Sequence, residues 1–238
     1  MKKELVIGIL GGMGPEATCD CFGKLIKNTP AGCDQEHLGI VIVNNPKVPD
    51  RTQAIMENGP SPVPALRQGV EALKCAGADF VIIPCVTVHY FLEELLAQCD
   101  FPVLSILDAV AENIRRTQPK VKTVGLLGTS GTVQSRIFQI RLAAEGIDTL
   151  VCNDSRQQQV MEAIYDIKNE NAPRSPAEIT GSLSEAAAHL IRQGAQGIVA
   201  GCTEIPLALT QEDVSVPYFD SLLILARSAI RRAGREPV

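Results

Sequence analysis

The chain has 238 residues, of which 45% are hydrophobic and 21% charged, so it can bury the core of one large α/β domain or of two small ones. Its formal charge of −5, and the lack of any run of five or more Lys and Arg, argue against nucleic acids and other polyanions as partners. The amino terminus has only Lys2 and Lys3 before a short apolar run, which is not the h-region of a signal peptide, and no apolar stretch reaches membrane-spanning length. We therefore expect a cytoplasmic protein that does not bind a membrane.

The first half of the chain alternates short apolar runs with amphipathic segments. This alternation predicts repeated βαβ units around a parallel sheet. The predicted elements are a strand at 5–10, a helix after Pro15, a strand at 39–43, a helix at 64–75 and a strand at 80–83.

The second half repeats the same pattern. The predicted elements are a strand at 121–127, a helix to Glu145 closed by Gly146, a strand at 149–152, two helical stretches and a strand at 197–200. The segment 217–221 is similar to 102–105, so a last strand and helix are expected after the second repeat.

Three separate matches indicate an ancient duplication, because each pairs positions 117 residues apart. Residues 8–14 match 125–131, residues 77–78 match 194–195, and Cys85 matches Cys202. We therefore predict two similar parallel-sheet α/β domains related by pseudo-twofold symmetry, with the active site in the cleft between them. The expected N-terminal domain is 1–105 plus 215–238, and the expected C-terminal domain is 106–214.

The eight cysteines do not form a metal-binding pattern. None makes a C-x-x-C pair, and Cys19 and Cys21 lack the second Cys-rich or His-rich cluster of a zinc site. Reduced thiols that pack as small hydrophobes are the ordinary expectation in a cytosolic protein, so a catalytic role must be argued for particular cysteines.

Cys85 and Cys202 each end a predicted apolar strand and enter a loop. In open parallel sheets, ligands bind at the carboxyl ends of the strands, which is where both thiols fall. Racemisation needs a base on one face of the substrate's α-carbon and an acid on the other, and two opposed thiols can exchange these roles. We expect the two to titrate as a coupled pair.

A glycine-rich turn follows the first strand of each half. The turns at 11–14 and 128–132 are expected to offer backbone amides to an anion, so the α-carboxylate of an amino acid could sit on either. The segment 12–17 also satisfies a loose dinucleotide-binding pattern, but Pro15 lies inside it and the second strand ends in Asn44 and Asn45 without the acidic residue that holds a ribose.

Motifs along nearly the whole chain resemble those of the aspartate/glutamate racemase superfamily, and most closely its aspartate racemase branch. The matching segments are 11–18, 49–52, 84–89, 128–132, 163–168 and 201–204. The resemblance implies two similar α/β domains, catalysis by Cys85 and Cys202, and no requirement for PLP or a metal. It also implies a homodimer.

The resemblance assigns the side-chain carboxylate of the substrate to Arg51 and Lys168, which suit a carboxylate by charge and, for Arg, by bidentate geometry. Each taken alone would more often be a solvated surface charge, and isolated threonines would more often cap helices. His89 could orient a thiol or the substrate, or act only as a cap. The full set expected around the substrate is Arg51, Lys168, Val86, Thr87, Thr129, Gly131, Thr132, Thr203, Glu204 and Met13.

Val86 departs from the resembled pattern, in which Asn follows the first cysteine. A side-chain hydrogen bond is lost there, although the backbone amide of residue 86 remains. The leading interpretation is interconversion of L- and D-aspartate. The alternatives are a glutamate or broad-specificity racemase, a related cysteine-dependent decarboxylase or isomerase, and a non-catalytic amino-acid-binding protein.

Overall fold

A computed structural model describes residues 4–238, and Lys2 and Lys3 lie outside the described residues. The chain divides into two compact units. One unit runs to Ala109 and also includes Leu222–Val238, and the other is Val110–Ser221. Within residues 4–238, no helix combines the length and the apolar character needed to cross a membrane.

The first unit contains a four-stranded parallel sheet in the order β2-β1-β3-β4. Its strands are β1 Ile7–Gly11, β2 Ile40–Asn44, β3 Phe80–Ile82 and β4 Val103–Leu104. Its helices are α1 Pro15–Asn28, α2 Arg51–Met56, α3 Val63–Cys75 and α4 Leu92–Leu96. Its core joins buried β1 and β3 side chains such as Leu10 and Val81 to Leu66, Val70 and Leu73 of α3.

The second unit repeats this arrangement with the strand order β6-β5-β7-β8. Its strands are β5 Thr123–Gly128, β6 Asp148–Val151, β7 Ile198–Gly201 and β8 Tyr218–Asp220. The remaining helices of the chain are α5 Ile106–Thr117, α6 Ser130–Gln134, α7 Ile137–Ala143, α8 Asp154–Ile167, α9 Pro176–Arg192 and α10 Ser221–Arg232. The core of this unit packs α8 and α9 against β7. The predicted fold class, α/β with two similar parallel sheets, is confirmed.

The turn before the third strand of each sheet shows the repeat at atomic detail. Gly77 and Gly194 have φ values of +90° and +104°, which few other residues adopt. The amide that follows each glycine donates to a carbonyl five residues earlier, Ala78 to Leu73 and Ala195 to Leu190, at 3.0 Å in both cases. The same local turn therefore brings the chain into β3 and into β7.

The carboxy-terminal segment differs from the expected domain limits. Strand β8, expected with the N-terminal half, pairs in parallel with β7, with Ile198 opposite Tyr218. Of the expected segment 215–238, only Leu222–Val238 belongs to the first unit. Backbone pairing with β7 therefore places β8 in the second sheet, as its similarity to β4 indicates. At the other limit, the chain passes from one unit to the next inside α5, between Ala109 and Val110.

One long predicted helix is two short ones. The helix expected to run to Glu145 is broken at Arg136, which has a left-handed φ of +58°. The Val133 carbonyl accepts a hydrogen bond from the Gln139 side chain at 2.9 Å, and also one from the Arg136 amide at 3.3 Å. These bonds replace the regular backbone ladder and separate α6 from α7.

Candidate active site

The first candidate cysteine follows the buried strand β3. Cys85 is 5% exposed, and its amide donates to the Ile83 carbonyl at 2.7 Å, which closes a tight turn at the strand end. Val86 is buried and helical, and it starts a 3-10 helix over Thr87–Phe91. This turn places Cys85, Val86 and Thr87 side by side at the carboxyl edge of the first sheet.

His89 ties the Cys85 turn to the start of α5. Its Nδ1 lies 2.9 Å from the Cys85 carbonyl oxygen, and its Nε2 accepts a hydrogen bond from the Ile106 amide at 3.2 Å. Because Nε2 accepts, Nδ1 carries the proton and donates it to the carbonyl. Burial lowers the pKa of His89 to about 4, against smaller opposing contributions from the backbone contacts and Asp108. The imidazole is therefore neutral at pH 7 and acts as a cap.

The glycine-rich turn after β1 is stabilised from within. The Gly12 amide donates to Oγ1 of Thr18 at 2.9 Å, and that hydroxyl donates to the Gly14 carbonyl at 3.0 Å. Gly12 has a φ of +96°, and a Cβ there would lie 2.3 Å from the Asn45 backbone. The expectation that this turn leaves its amides for an anion therefore fails at Gly12, because Thr18 occupies that amide.

Arg51 and Met13 are brought together by the turns after β1 and β2. Nη1 of Arg51 donates to the carbonyls of Val48 and Pro49 at 3.2 and 3.0 Å, and Nη2 donates to the Met13 carbonyl at 3.4 Å. The Nε donor is buried and has no hydrogen-bond partner among residues 4–238. The half-buried Arg51 side chain thus joins two turns, and its Nε donor makes no hydrogen bond with the described residues.

The second candidate cysteine lies at the end of β7 in a charged environment. Cys202 is 5% exposed, and its thiol donates to Oε2 of Glu204 at 3.0 Å. Oγ1 of Thr203 donates to the same oxygen at 3.2 Å, while Nζ of Lys168 lies 3.4 Å from Oε1. Burial, followed by the Glu204 charge, raises the pKa of Cys202 well above its usual value, and Lys168 opposes this. Cys202 is therefore a thiol in the free protein.

The turn after β5 contains the other expected threonines. Oγ1 of Thr129 accepts from the Thr132 amide at 3.1 Å and donates to the Thr132 hydroxyl at 3.0 Å. Thr129 is the buried N-cap of α6, and Gly131 and Thr132 are buried in its first turn. Thr129 therefore caps α6 as an isolated threonine is expected to do. The turn that it caps lies at the same edge of the sheet as Cys202.

Sequence reasoning missed several side chains near these turns in the second unit. Nε2 of Gln157 donates to the Gly128 carbonyl at 2.9 Å, and the Ser130 amide contacts the Met161 sulfur at 3.0 Å. Tyr218 has a buried hydroxyl for which the described part of the chain offers no partner, and burial, Asp220, Asp213 and Cys202 raise its pKa. The spacing of four between Gln157 and Met161 was the available signal, because it places them on one face of α8.

The structure therefore assembles the expected residues within each unit. The first unit joins Met13 to Arg51 and keeps Cys85, Val86 and Thr87 in one turn. The second unit joins Cys202, Thr203, Glu204 and Lys168, and separately Thr129, Gly131 and Thr132.

Sequence similarity to known proteins extends over most of the chain. Residues 10–229 match the family model described as Asp/Glu/Hydantoin racemase. The chain is 30% identical over 231 residues to the broad specificity amino-acid racemase RacX of Bacillus subtilis, covering 94% of this chain and 96% of that one.

Solved structures show the same fold. The aspartate racemase of Picrophilus torridus superposes with a TM-score of 0.86 at 30% identity, covering 98% of this chain and 96% of that one. An aspartate racemase homologue from Pyrococcus horikoshii gives 0.75 at 28% identity, covering 99% and 100%. Sequence and fold agree over almost the whole chain, which therefore belongs to the Asp/Glu/Hydantoin racemase family.

Proposed function

We propose that the protein interconverts L- and D-aspartate without PLP or a metal, using Cys85 and Cys202 as its two acid/base groups. One observation carries this proposal. In each unit, the strand at the same place in the sheet is followed within three residues by a buried cysteine, and the two cysteines are 117 positions apart. A racemase needs such a matched pair, because proton removal and proton return must each have a group.

The contacts of Cys202 supply the starting protonation state. Because burial, followed by the charge of Glu204 that accepts its hydrogen bond, raises its pKa, Cys202 begins as the proton donor. In the direction of reaction that starts from this state, the Cys85 thiolate takes the α-proton from the substrate. The Cys202 thiol then gives a proton to the other face of the carbanion. The reverse direction exchanges the two roles, and each turnover leaves one thiol and one thiolate.

Arg51 and Lys168 are the proposed ligands of the side-chain carboxylate. The buried Nε of Arg51 makes no hydrogen bond with the described residues, so it can donate to a carboxylate. Its Nη atoms already donate to three backbone carbonyls. Lys168 has a 29% exposed side chain, and its ammonium is held 3.4 Å from Oε1 of Glu204, beside the second cysteine. The proposed ligands of the α-carboxylate and ammonium are Thr87, Thr129, Gly131, Thr132, Thr203, Glu204, Met13 and the amide of Val86.

A broader substrate range is the second candidate, and Val86 is the observation that favours it. Its buried isopropyl group cannot make the hydrogen bond of the Asn in the resembled pattern. RacX of Bacillus subtilis, which is similar over almost its whole length, is a broad specificity racemase. Glutamate racemisation, a decarboxylase or isomerase reaction and non-catalytic binding are the remaining interpretations, and a cytoplasmic homodimer remains a prediction.

The decisive experiment follows L-aspartate in deuterated water with purified protein, without added PLP or metal. We expect D-aspartate and deuterium at Cα in both enantiomers, and loss of both signals in Cys85→Ala and in Cys202→Ala. Cys99→Ala is the matched control, because Cys99 is also buried but lies after α4. Release of carbon dioxide, or no exchange by a protein with reduced thiols, would reject aspartate racemisation. A panel of other L-amino acids then separates narrow from broad specificity.

A further inference from the structure

The carboxamide of Gln157 makes a hydrogen bond through its nitrogen but, within the described residues, none through its oxygen. Its Nε2 donates to the Gly128 carbonyl at 2.9 Å and lies 3.4 Å from Oγ of Ser130. Its Oε1 is buried, and residues 4–238 give it no hydrogen-bond partner. A buried acceptor without a donor is uncommon, so it needs an explanation.

The orientation of this carboxamide follows from its surroundings. Exchanging the oxygen and nitrogen would set the Gln157 carbonyl against the Gly128 carbonyl, and two acceptors would then face each other. The nitrogen must therefore point to Gly128, which leaves the oxygen as the free acceptor.

Helix α8 holds Gln157 against the turn that carries Thr129 and Thr132. Met161, one helical turn later, contacts the Ser130 amide at 3.0 Å through its sulfur. Asn153 caps the start of this helix by accepting from the Arg156 amide at 3.0 Å. Together with the bond from Nε2 to Gly128, these contacts hold the start of α8 and the Gln157 carboxamide against the turn.

We infer that Gln157 recognises the ammonium group of the substrate through its carboxamide oxygen. The inference rests on the proposed function in one respect, that the ligand of this turn is an amino acid. The proposed function assigns Thr129, Gly131 and Thr132 of this turn to the α-carboxylate and the ammonium. An ammonium group has three donors and no acceptor, so it needs an acceptor of the kind that Gln157 provides. The alternative decarboxylase and isomerase substrates lack that group.

The test compares binding of L-aspartate with binding of succinate, which keeps both carboxylates and lacks the ammonium. Calorimetric titration of the full chain measures both dissociation constants. We expect Gln157→Met to weaken aspartate at least tenfold and succinate less than twofold. Gln158→Met is the matched control, because Gln158 is the next residue of α8 and its side chain is exposed. It should change neither constant.

Gln157→Asn covers the case in which the methionine variant does not fold. It keeps a carboxamide with both a donor and an acceptor beside the turn, so we expect it to retain part of the preference for aspartate over succinate. Equal weakening of both ligands by Gln157→Met, or a preserved preference in that variant, would overturn the inference. So would a wild-type protein that binds aspartate no better than succinate.

Failure of the inference is distinct from failure of the proposed function. If deuterium exchanges at Cα, but the preference for aspartate over succinate does not depend on Gln157, only the inference is overturned. A Gln157-dependent preference without any exchange would overturn racemisation alone.

Discussion

The thiol of Cys202 donates a 3.0 Å hydrogen bond to Oε2 of Glu204, a carboxylate whose other oxygen lies 3.4 Å from Nζ of Lys168. The Glu204 side chain is only 2% exposed, so one buried charge serves both the thiol and the ammonium. A substitution at Lys168 or Glu204 should therefore change the pKa of Cys202.

Replacing Glu204 by Gln should lower the pKa of Cys202. The neighbouring negative charge that raises it is removed, while Lys168, which lowers it, remains. We expect the midpoint of the Cys202 titration to move to lower pH, although burial, the larger cause of the raised pKa, remains. The pH dependence of Cys202 alkylation by iodoacetamide, followed by mass spectrometry of its peptide, measures this. Glu212→Gln, at an exposed glutamate, is the control. An unchanged midpoint in Glu204→Gln would contradict the assignment.

Replacing Lys168 by Met should destabilise the second unit. Glu204 keeps its contacts with Cys202 and Thr203 but loses the ammonium of Lys168, and losing a contact with a charged group costs about 1.5–3 kcal/mol. Urea unfolding measures the loss. The double variant Lys168→Met with Glu204→Gln should recover part of it, because no charge is then left buried. Full additivity of the two single losses would show that the residues do not interact.

Stability should fall as the pH drops from about 6.5 to about 4, because of His89. Its pKa is about 4 in the folded protein and near 6.5 when unfolded, so the unfolded chain binds the proton first. The stabilisation is present above pH 6.5, is lost progressively below it, and amounts to about 3 kcal/mol at most.

Denaturant titrations at a series of pH values check this slope. His89→Gln should flatten the difference between pH 6.5 and 4, whereas His37→Gln, at a half-buried histidine elsewhere in the first unit, should keep it. Parallel curves for wild type and His89→Gln would show that another group controls acid stability.

Two glycines of the first unit should respond in opposite directions to alanine. Gly12→Ala forces a Cβ to within 2.3 Å of the Asn45 backbone at a φ of +96°, so we expect a loss of more than about 1–2 kcal/mol. Gly23 lies inside α1, where an added Cβ meets nothing within 4 Å, and Gly23→Ala should gain about 0.5–1 kcal/mol. Urea unfolding midpoints test both. A neutral Gly12→Ala would mean that the turn can move.

Local chemistry explains why parts of the fold were readable from the sequence. Alternating apolar and amphipathic segments predicted the strands that became β1, β2, β3, β5, β6 and β7, with limits within two residues of those observed. The glycine turns at 77 and 194 were readable as equivalent, because a left-handed residue is required at the same place in both repeats. The break at Arg136 was not readable, because it depends on a hydrogen bond from Gln139 back to Val133.

The sequence by itself determined the α/β class, the duplication at an offset of 117, and the positions of Cys85 and Cys202 after strands. These properties depend on residue order and on contacts between near neighbours. Tertiary structure alone decided that Lys168 meets Glu204, that Arg51 meets the Met13 carbonyl, and that the Gln157 oxygen is stranded beside Gly128. These contacts join residues 29 to 38 positions apart. Their partners are selected by the packing of helices against a sheet, which no local pattern encodes.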